Sequence, residues 1–215
     1  GSRTSASMLF LYALGFSLAY RDLAAGTGAL ILFGAVQTTM IGAGIASGQR
    51  PGGRQWLGLG AALAGLVYLV SPGLDAPPLI GASLMALAGV AWGVYSLRGG
   101  GADPVATTAG NFLLAVPLAA LAALAALAEP LPTARGVLLG VASGGLTSGL
   151  GYVLWYAALR GLDATRAGIA QLAVPVLAAG GGVVLLAEPV TTRLILASLV
   201  TLGGVGLATV GSRSR

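Results

Sequence analysis

The sequence predicts an all-α fold: a polytopic transmembrane helical bundle of about eight helices, in inverted five-helix repeats of which the first is truncated. Three observations carry this expectation. Of the 215 residues, 56% are hydrophobic and only 8% charged, and the mean hydropathy is +0.92; a soluble domain carries about 25% charged residues. The apolar residues come in long blocks rather than on one face of an amphipathic pattern, so lipid is expected outside the helices. The chain also resembles itself at an offset of 139 residues.

Eight blocks read as helices: Met8–Tyr20, Ala24–Ser47, Gln55–Val70, Leu79–Leu97, Val105–Ala128, Gly136–Leu159, Thr165–Ala187 and Leu194–Val210. About 20 residues of helix span the hydrocarbon core. Most blocks reach that length; the first is short and the third needs its flanks. Each break has a helix-stopping cause. Pro51, Gly52 and Gly53 lie in the second break, and Pro72, Gly73, Pro77 and Pro78 in the third. The fourth is glycine-rich and ends in Asp103–Pro104, a good helix start. Pro130 and Pro132 mark the fifth. Arg160–Ala164 and Glu188–Arg193 are shorter links.

The basic residues give an orientation. With a cytoplasmic N-terminus, Arg3, Arg50, Arg54, Arg98, Arg160, Arg166, Arg213 and Arg215 fall inside and Arg21, Arg135 and Arg193 outside. The excess of positive charge inside favours this frame, with both termini cytoplasmic. Met8–Tyr20 is followed by no cleavage-site pattern of a signal peptide.

At the 139-residue offset, Ala19, Arg21, Leu23 and Ala25 match Ala158, Arg160, Leu162 and Ala164, and Leu57, Leu63 and Gly65 match Leu196, Leu202 and Gly204. Chance self-matching of Ala/Leu/Gly-rich sequence is the alternative reading. The order of the matches favours a repeat: residues 1–75 hold three helices of a first unit, and 76–215 five helices of a second. An odd helix number inverts the second copy in the membrane, as in secondary transporters with a site near the midplane.

Composition excludes several chemistries. Cys, His and Lys are absent and all eleven basic residues are Arg. No disulfide framework, thiolate or imidazole metal site, or Ser–His or Cys–His catalysis can be built. Ser148, within Gly144-Gly-Leu-Thr-Ser148-Gly149, therefore lacks the base an intramembrane protease would need. No enzyme, metal or cofactor is expected. The scattered Arg residues read as topology signals rather than a nucleic-acid surface. All six acids, Asp22, Asp75, Asp103, Glu129, Asp163 and Glu188, fall in or beside links, so no proton relay is visible at membrane depth.

The candidate site residues are polar or aromatic groups away from helix ends. Gln37, Asn111 and Gln171 carry amides that offer donors and an acceptor to a neutral or zwitterionic ligand; interhelical bonding is the alternative. Trp92 and Tyr95, and Tyr152, Trp155 and Tyr156, each share a helical face. They suit a pocket wall or an interfacial aromatic belt; the wall is favoured for Trp92 and Tyr152, the belt for Tyr156. Substrate binding is thus expected at Gln37, Trp92, Asn111, Tyr152 and Gln171. Pro175, inside a helix, is a hinge or a static kink. The small-residue rows Gly34, Thr38, Gly42, Ala46 and Gly140, Gly144, Ser148 read as packing surfaces.

Several segments resemble the EamA family of the drug/metabolite transporter superfamily. Tyr152-Val-Leu-Trp155-Tyr156-Ala-Ala-Leu-Arg160 is similar to the family's eighth helix, Val174-Pro175-Val176 through Ala187-Glu188-Pro189-Val190-Thr191 to its ninth helix and turn, and Leu194–Val210 to its tenth. Gly48-Gln49-Arg50-Pro51 resembles the corresponding turn of the first unit. The family's first two helices have no counterpart, and Gly1–Ser7 reads as a mid-protein start. The resemblance implies a secondary transporter of the cytoplasmic membrane, exporting small metabolites or drug-like or amino acid-like compounds by alternating access. Its partners would be a small-molecule substrate and the lipid bilayer, with a homo-oligomer left open. A non-transporting scaffold or lipid-head-group carrier is the alternative.

Overall fold

Local sequence signals fix where each helix begins and ends. The computed structural model describes residues 1–23, 25–71, 77–99, 103–126, 133–186 and 189–209. The expected helix ends at Ala24, Ala128, Ala187 and Val210 fall outside these residues, as do Pro72, Gly73, Asp75, Glu129, Pro130, Pro132, Glu188, Arg213 and Arg215.

Helix α1 (Arg3–Ala19) starts five residues earlier than expected, because the Ser2 hydroxyl accepts the Ser5 N–H at 3.1 Å and caps it. Helix α2 (Ala25–Ala46) ends in a Schellman turn: Gln49 N–H bonds to Gly44 O and Gly48 N–H to Ile45 O, both at 2.9 Å. That turn needs a left-handed residue, and Gly48 supplies it with φ +87°. Helix α3 (Gly53–Val70) follows, its Gln55 side chain reaching back to the Gly52 N–H at 2.9 Å.

Helix α4 (Leu79–Leu97) matches its expected bounds. Helix α5 (Pro104–Ala125) opens where Asp103–Pro104 predicts, the carboxylate accepting the Val105 and Ala106 N–H groups at 2.9 and 3.0 Å. Helix α6 (Ala134–Leu159) is capped by Thr133 and is not uniform: Ala142–Leu150 is wound as a π-helix. Four of those nine residues are Gly or Ala, and wide turns of this kind tend to occur at functional positions. Helix α7 (164–186) begins at an Asp163 cap, 2.8 Å from the Arg166 N–H. It is interrupted by a 3₁₀ turn at Gln171–Ala173. Proline has no N–H to give the carbonyl four residues back, so Pro175 releases Gln171 O; the Val174 N–H takes it in a tighter bond. Helix α8 (Thr192–Thr209) is capped by Thr191.

Among the described residues there are eight helices and no strand. Five of them are long and apolar enough to cross a membrane: α2, α4, α5, α6 and α8. Outward positions such as Leu79, Leu113, Leu138, Leu154, Val184 and Leu199 are exposed. An apolar exterior of this extent belongs in a bilayer, and the chain is an integral membrane protein.

The helices pack as two groups joined by α2. Helices α1, α4 and α5 form one, with α2 against α4; α3 and α8 form the tightest pair, and the start of α7 lies against α2. Met85 and Ala88 fill the first interface, and Leu59, Ala62, Leu66, Ile169 and Leu172 the second. Small residues set the closest approaches. A Cβ at Gly89 would lie 2.6 Å from Leu32 O, and one at Gly204 2.6 Å from both Ala62 N and Gly58 O. Thr201 Oγ1 faces Ala62 O at 3.5 Å, 139 residues away.

The expected packing rows are not where the close approaches occur. A Cβ added at Gly34, Gly42, Gly140 or Gly144 would meet nothing within 4 Å. Thr38 is exposed and returns its hydroxyl to Gly34 O at 2.8 Å. The α2 row faces outward because the buried face of that helix is instead formed by Leu32, Phe33, Val36, Met40 and Ile41.

Candidate substrate site

Where α2, α4, α6 and α7 converge, two glutamines and a layer of rings form a buried polar-aromatic cluster. Gln37 is 4% exposed. It lies on the inner face of α2, one turn before Met40, and its Nε2 donates to Gly168 O at 2.6 Å. That carbonyl is reachable because Gly168 has no side chain: a Cβ there would meet Gln37 Oε1 at 3.2 Å. Gln37 Oε1 is buried and has no hydrogen-bond partner. Gln171 stands at the 3₁₀ turn of α7 and links three helices. Its Oε1 accepts the Trp92 indole N–H, and its Nε2 faces Met40 Sδ at 3.0 Å and Ala167 O at 3.4 Å.

The rings continue from Trp92. Its centroid is 4.9 Å from Tyr12 on α1 and 4.9 Å from Tyr152 on α6. Tyr95 stacks on Trp92 at 5.6 Å and on Tyr156 at 4.9 Å. Phe112 of α5 lies 5.8 Å from Tyr152. A cleft of about 280 Å³ between α1, α5 and α6 ends at Tyr152. Leu9, Ala13, Phe112, Ala119 and Gly144 line it, and Ser148 brings the π-helical stretch to its wall.

Gln37, Trp92, Tyr152 and Gln171 therefore share one neighbourhood. Asn111 is set apart from the glutamines: its Oδ1 accepts the Ser2 N–H at 2.9 Å, holding the start of α1 to α5. Tyr156 does not belong to an interfacial belt. It is 1% exposed, and its hydroxyl donates to Tyr95 O at 3.1 Å. Ring stacking and a main-chain acceptor hold it inside the bundle, although it lies within a turn of the helix end.

Met40, Tyr12, Phe112 and Gly168 were missed by sequence reasoning. Met40 follows Gln37 by three residues and so shares its face, a signal that periodicity could have supplied. Tyr12 gave no sign, because its helix reads as short. The cluster carries no ionised group. Its capacity is therefore recognition: amides for hydrogen-bonding groups and rings for flat or apolar ones.

Comparison with known proteins gives a consistent picture. The pattern of the EamA-like transporter family matches residues 79–210. The uncharacterized protein PA1977 of Pseudomonas aeruginosa is 52% identical over 208 residues, covering 96% of this chain and 72% of its own. A solved structure titled only as the crystal structure of a protein superposes with a TM-score of 0.78 at 22% identity, over 96% of this chain and 76% of that one. That likeness is one of fold.

Proposed function

The chain belongs to the EamA-like transporter family, a membrane transporter of the drug/metabolite type, and from that premise we propose that it moves a small metabolite, amino acid-like or drug-like, out across the cytoplasmic membrane. The observation that carries the reading is the junction of Gln37, Trp92 and Gln171: three polar side chains from three helices, the two amides buried and Trp92 half-buried, with Trp92 bonded to Gln171 and Gln37 to the Gly168 main chain. A buried carbonyl oxygen without a partner costs free energy, and Gln37 Oε1 is such an atom. A substrate donor would satisfy it, while the Trp92 and Tyr152 faces would hold a flat or apolar part.

We infer two units, 1–75 and 76–215, related by an in-plane pseudo-two-fold axis between α3 and α8. Two features support the axis. Ala62 and Thr201 occupy matching positions of the repeat and touch each other. Gly58 approaches Gly204 while Gly65 approaches Ala197, and exchanging each residue for its counterpart turns one contact into the other. Self-complementary contacts of this kind mark a two-fold. Alternating access would then rock the units about the site, with the released carbonyl before Pro175 giving α7 its hinge.

The test is transport by Gln37→Leu. Loss of substrate movement with unchanged membrane insertion supports the site; transport at the parental rate removes Gln37 from it.

A further inference from the structure

Where α2 ends and α7 begins, a side-chain bond spans the two helices, and we propose that it is the latch of a gate that holds this end of the bundle shut over the site. The inference deepens the transport reading and rests on it. The Thr165 hydroxyl, in the first turn of α7, donates to Gln49 Oε1 at 3.0 Å, 116 residues away. Thr165 is 2% exposed.

Local sequence prepares both sides of the bond. Gln49 closes the turn that Gly48 permits, its N–H tied to Gly44 O at 2.9 Å. Its side chain folds back over the end of α2, and Gly44 leaves the room. A Cβ there would lie 2.6 Å from Gln49 Oε1 and 2.9 Å from Thr165 Oγ1. Opposite, the Asp163 carboxylate accepts the Arg166 N–H at 2.8 Å and pairs with Arg166 Nε at 3.3 Å, which fixes the turn that carries Thr165.

An apolar layer separates the latch from the site. Gly44 follows Gln37 by seven residues, about 10 Å of helix. In that interval Met40 meets Ala167 and Val36, with Leu97, Leu159 and Leu162 packed against them. Apolar constrictions gate by excluding water, and a single neutral hydrogen bond beside one biases a two-state element without locking it. Past Pro175, Leu177 and Val184 are exposed, and a Cβ at Gly180 or Gly181 would meet nothing within 4 Å. The close fit of α7 to α2 thus lies on the Thr165 side of the proline. In the two-unit arrangement Gly26 stands at the position matching Thr165. Glycine has no hydroxyl, so that position offers no equivalent bond at the opposite end, and the latch favours one state over the other.

The experiment reads the gate without a substrate. Val36→Cys places a thiol in the layer of a chain that has no other. Its rate of reaction with the water-soluble reagent sulfonatoethyl methanethiosulfonate is measured on the purified protein in phosphatidylcholine nanodiscs, where both faces are open to the reagent. Thr165→Val keeps the side chain's shape and removes the donor; the rate should rise about twofold to tenfold, the weight of one neutral hydrogen bond. Gly44→Ala drives the two side chains apart and should raise it at least as much. Thr165→Ser keeps a hydroxyl and should leave it near the parent's. A control thiol at Leu66→Cys, equally buried but between α3 and α8, should react at one rate in every variant. An unchanged Val36→Cys rate in a folded Thr165→Val or Gly44→Ala protein overturns the proposal. So does an equal rise at Leu66→Cys, which would mean general loosening. Neither result touches the substrate site, which stands or falls on Gln37→Leu.

Discussion

Substituting Gly204 by alanine tests the packing that joins α3 to α8. The new Cβ would sit 2.6 Å from Ala62 N and Gly58 O, against 3.4 Å or more for an ordinary contact. Both neighbours are main-chain atoms, so no side chain can swing aside. Helices α3 and α8 must part by about 1 Å, which also loosens Gly58 against Ala208 and Gly65 against Ala197. Overpacking of this kind costs about 1–3 kcal/mol. Gly206, two residues on, has nothing within 4 Å. There the same substitution should be neutral or stabilise by up to about 1 kcal/mol, because alanine is the better helix former. The assay is reversible unfolding of the purified protein in mixed micelles, titrated with sodium dodecyl sulfate. Equal stabilities for Gly204→Ala and Gly206→Ala would refute the close approach of α3 and α8.

Further outcomes are expected at the site. Trp92→Phe keeps a ring but removes the N–H that Gln171 Oε1 accepts; a buried acceptor left unpaired costs about 1–3 kcal/mol, and substrate affinity should fall about tenfold or more while insertion is unchanged, as read by binding and by membrane fractionation. Pro175→Ala restores an N–H within reach of Gln171 O and should straighten α7. Transport turnover should fall with substrate affinity nearly constant; turnover equal to the parent's would make the proline a static kink.

Much of the fold is legible in the sequence because lipid leaves the chain few choices. A segment in hydrocarbon must satisfy its own main chain, so long apolar blocks become helices and Pro/Gly breaks become turns. Leu79–Leu97 is read to the residue, and Asp103 caps the helix that Asp103–Pro104 announces. Less visible are features that depend on a neighbour. The early start of α1 rests on a Ser2 cap and on Asn111, 109 residues away. The π-helical stretch of α6 follows from its turns rather than from hydropathy.

The site shows the same division. Mid-helix glutamines stand out against an apolar background, and the structure bonds Gln37 to Gly168 and sets Gln171 against Met40, both between α2 and α7. Which small residues pack is not legible from spacing alone. Gly34 and Gly42 have the right interval yet face outward, whereas Gly58 and Gly204 meet across helices. The better signal was the repeat, which pairs Gly65 with Gly204. Tyr156 was misassigned because nearness to a helix end says where a ring lies along the membrane normal, not whether it faces lipid or the bundle.

The two-unit arrangement is tested most directly by its topology. The chain has no cysteine, so single thiols can be introduced without background. Ser47 closes the turn after α2, and Thr191 caps α8 at the corresponding turn of the second unit. Intact cells expressing Ser47→Cys or Thr191→Cys would be treated with a membrane-impermeant maleimide. Labelling at residue 191 and protection at residue 47 is the outcome the inverted arrangement predicts. Both residues labelled, or both protected, would place the two turns on one side of the membrane and contradict it.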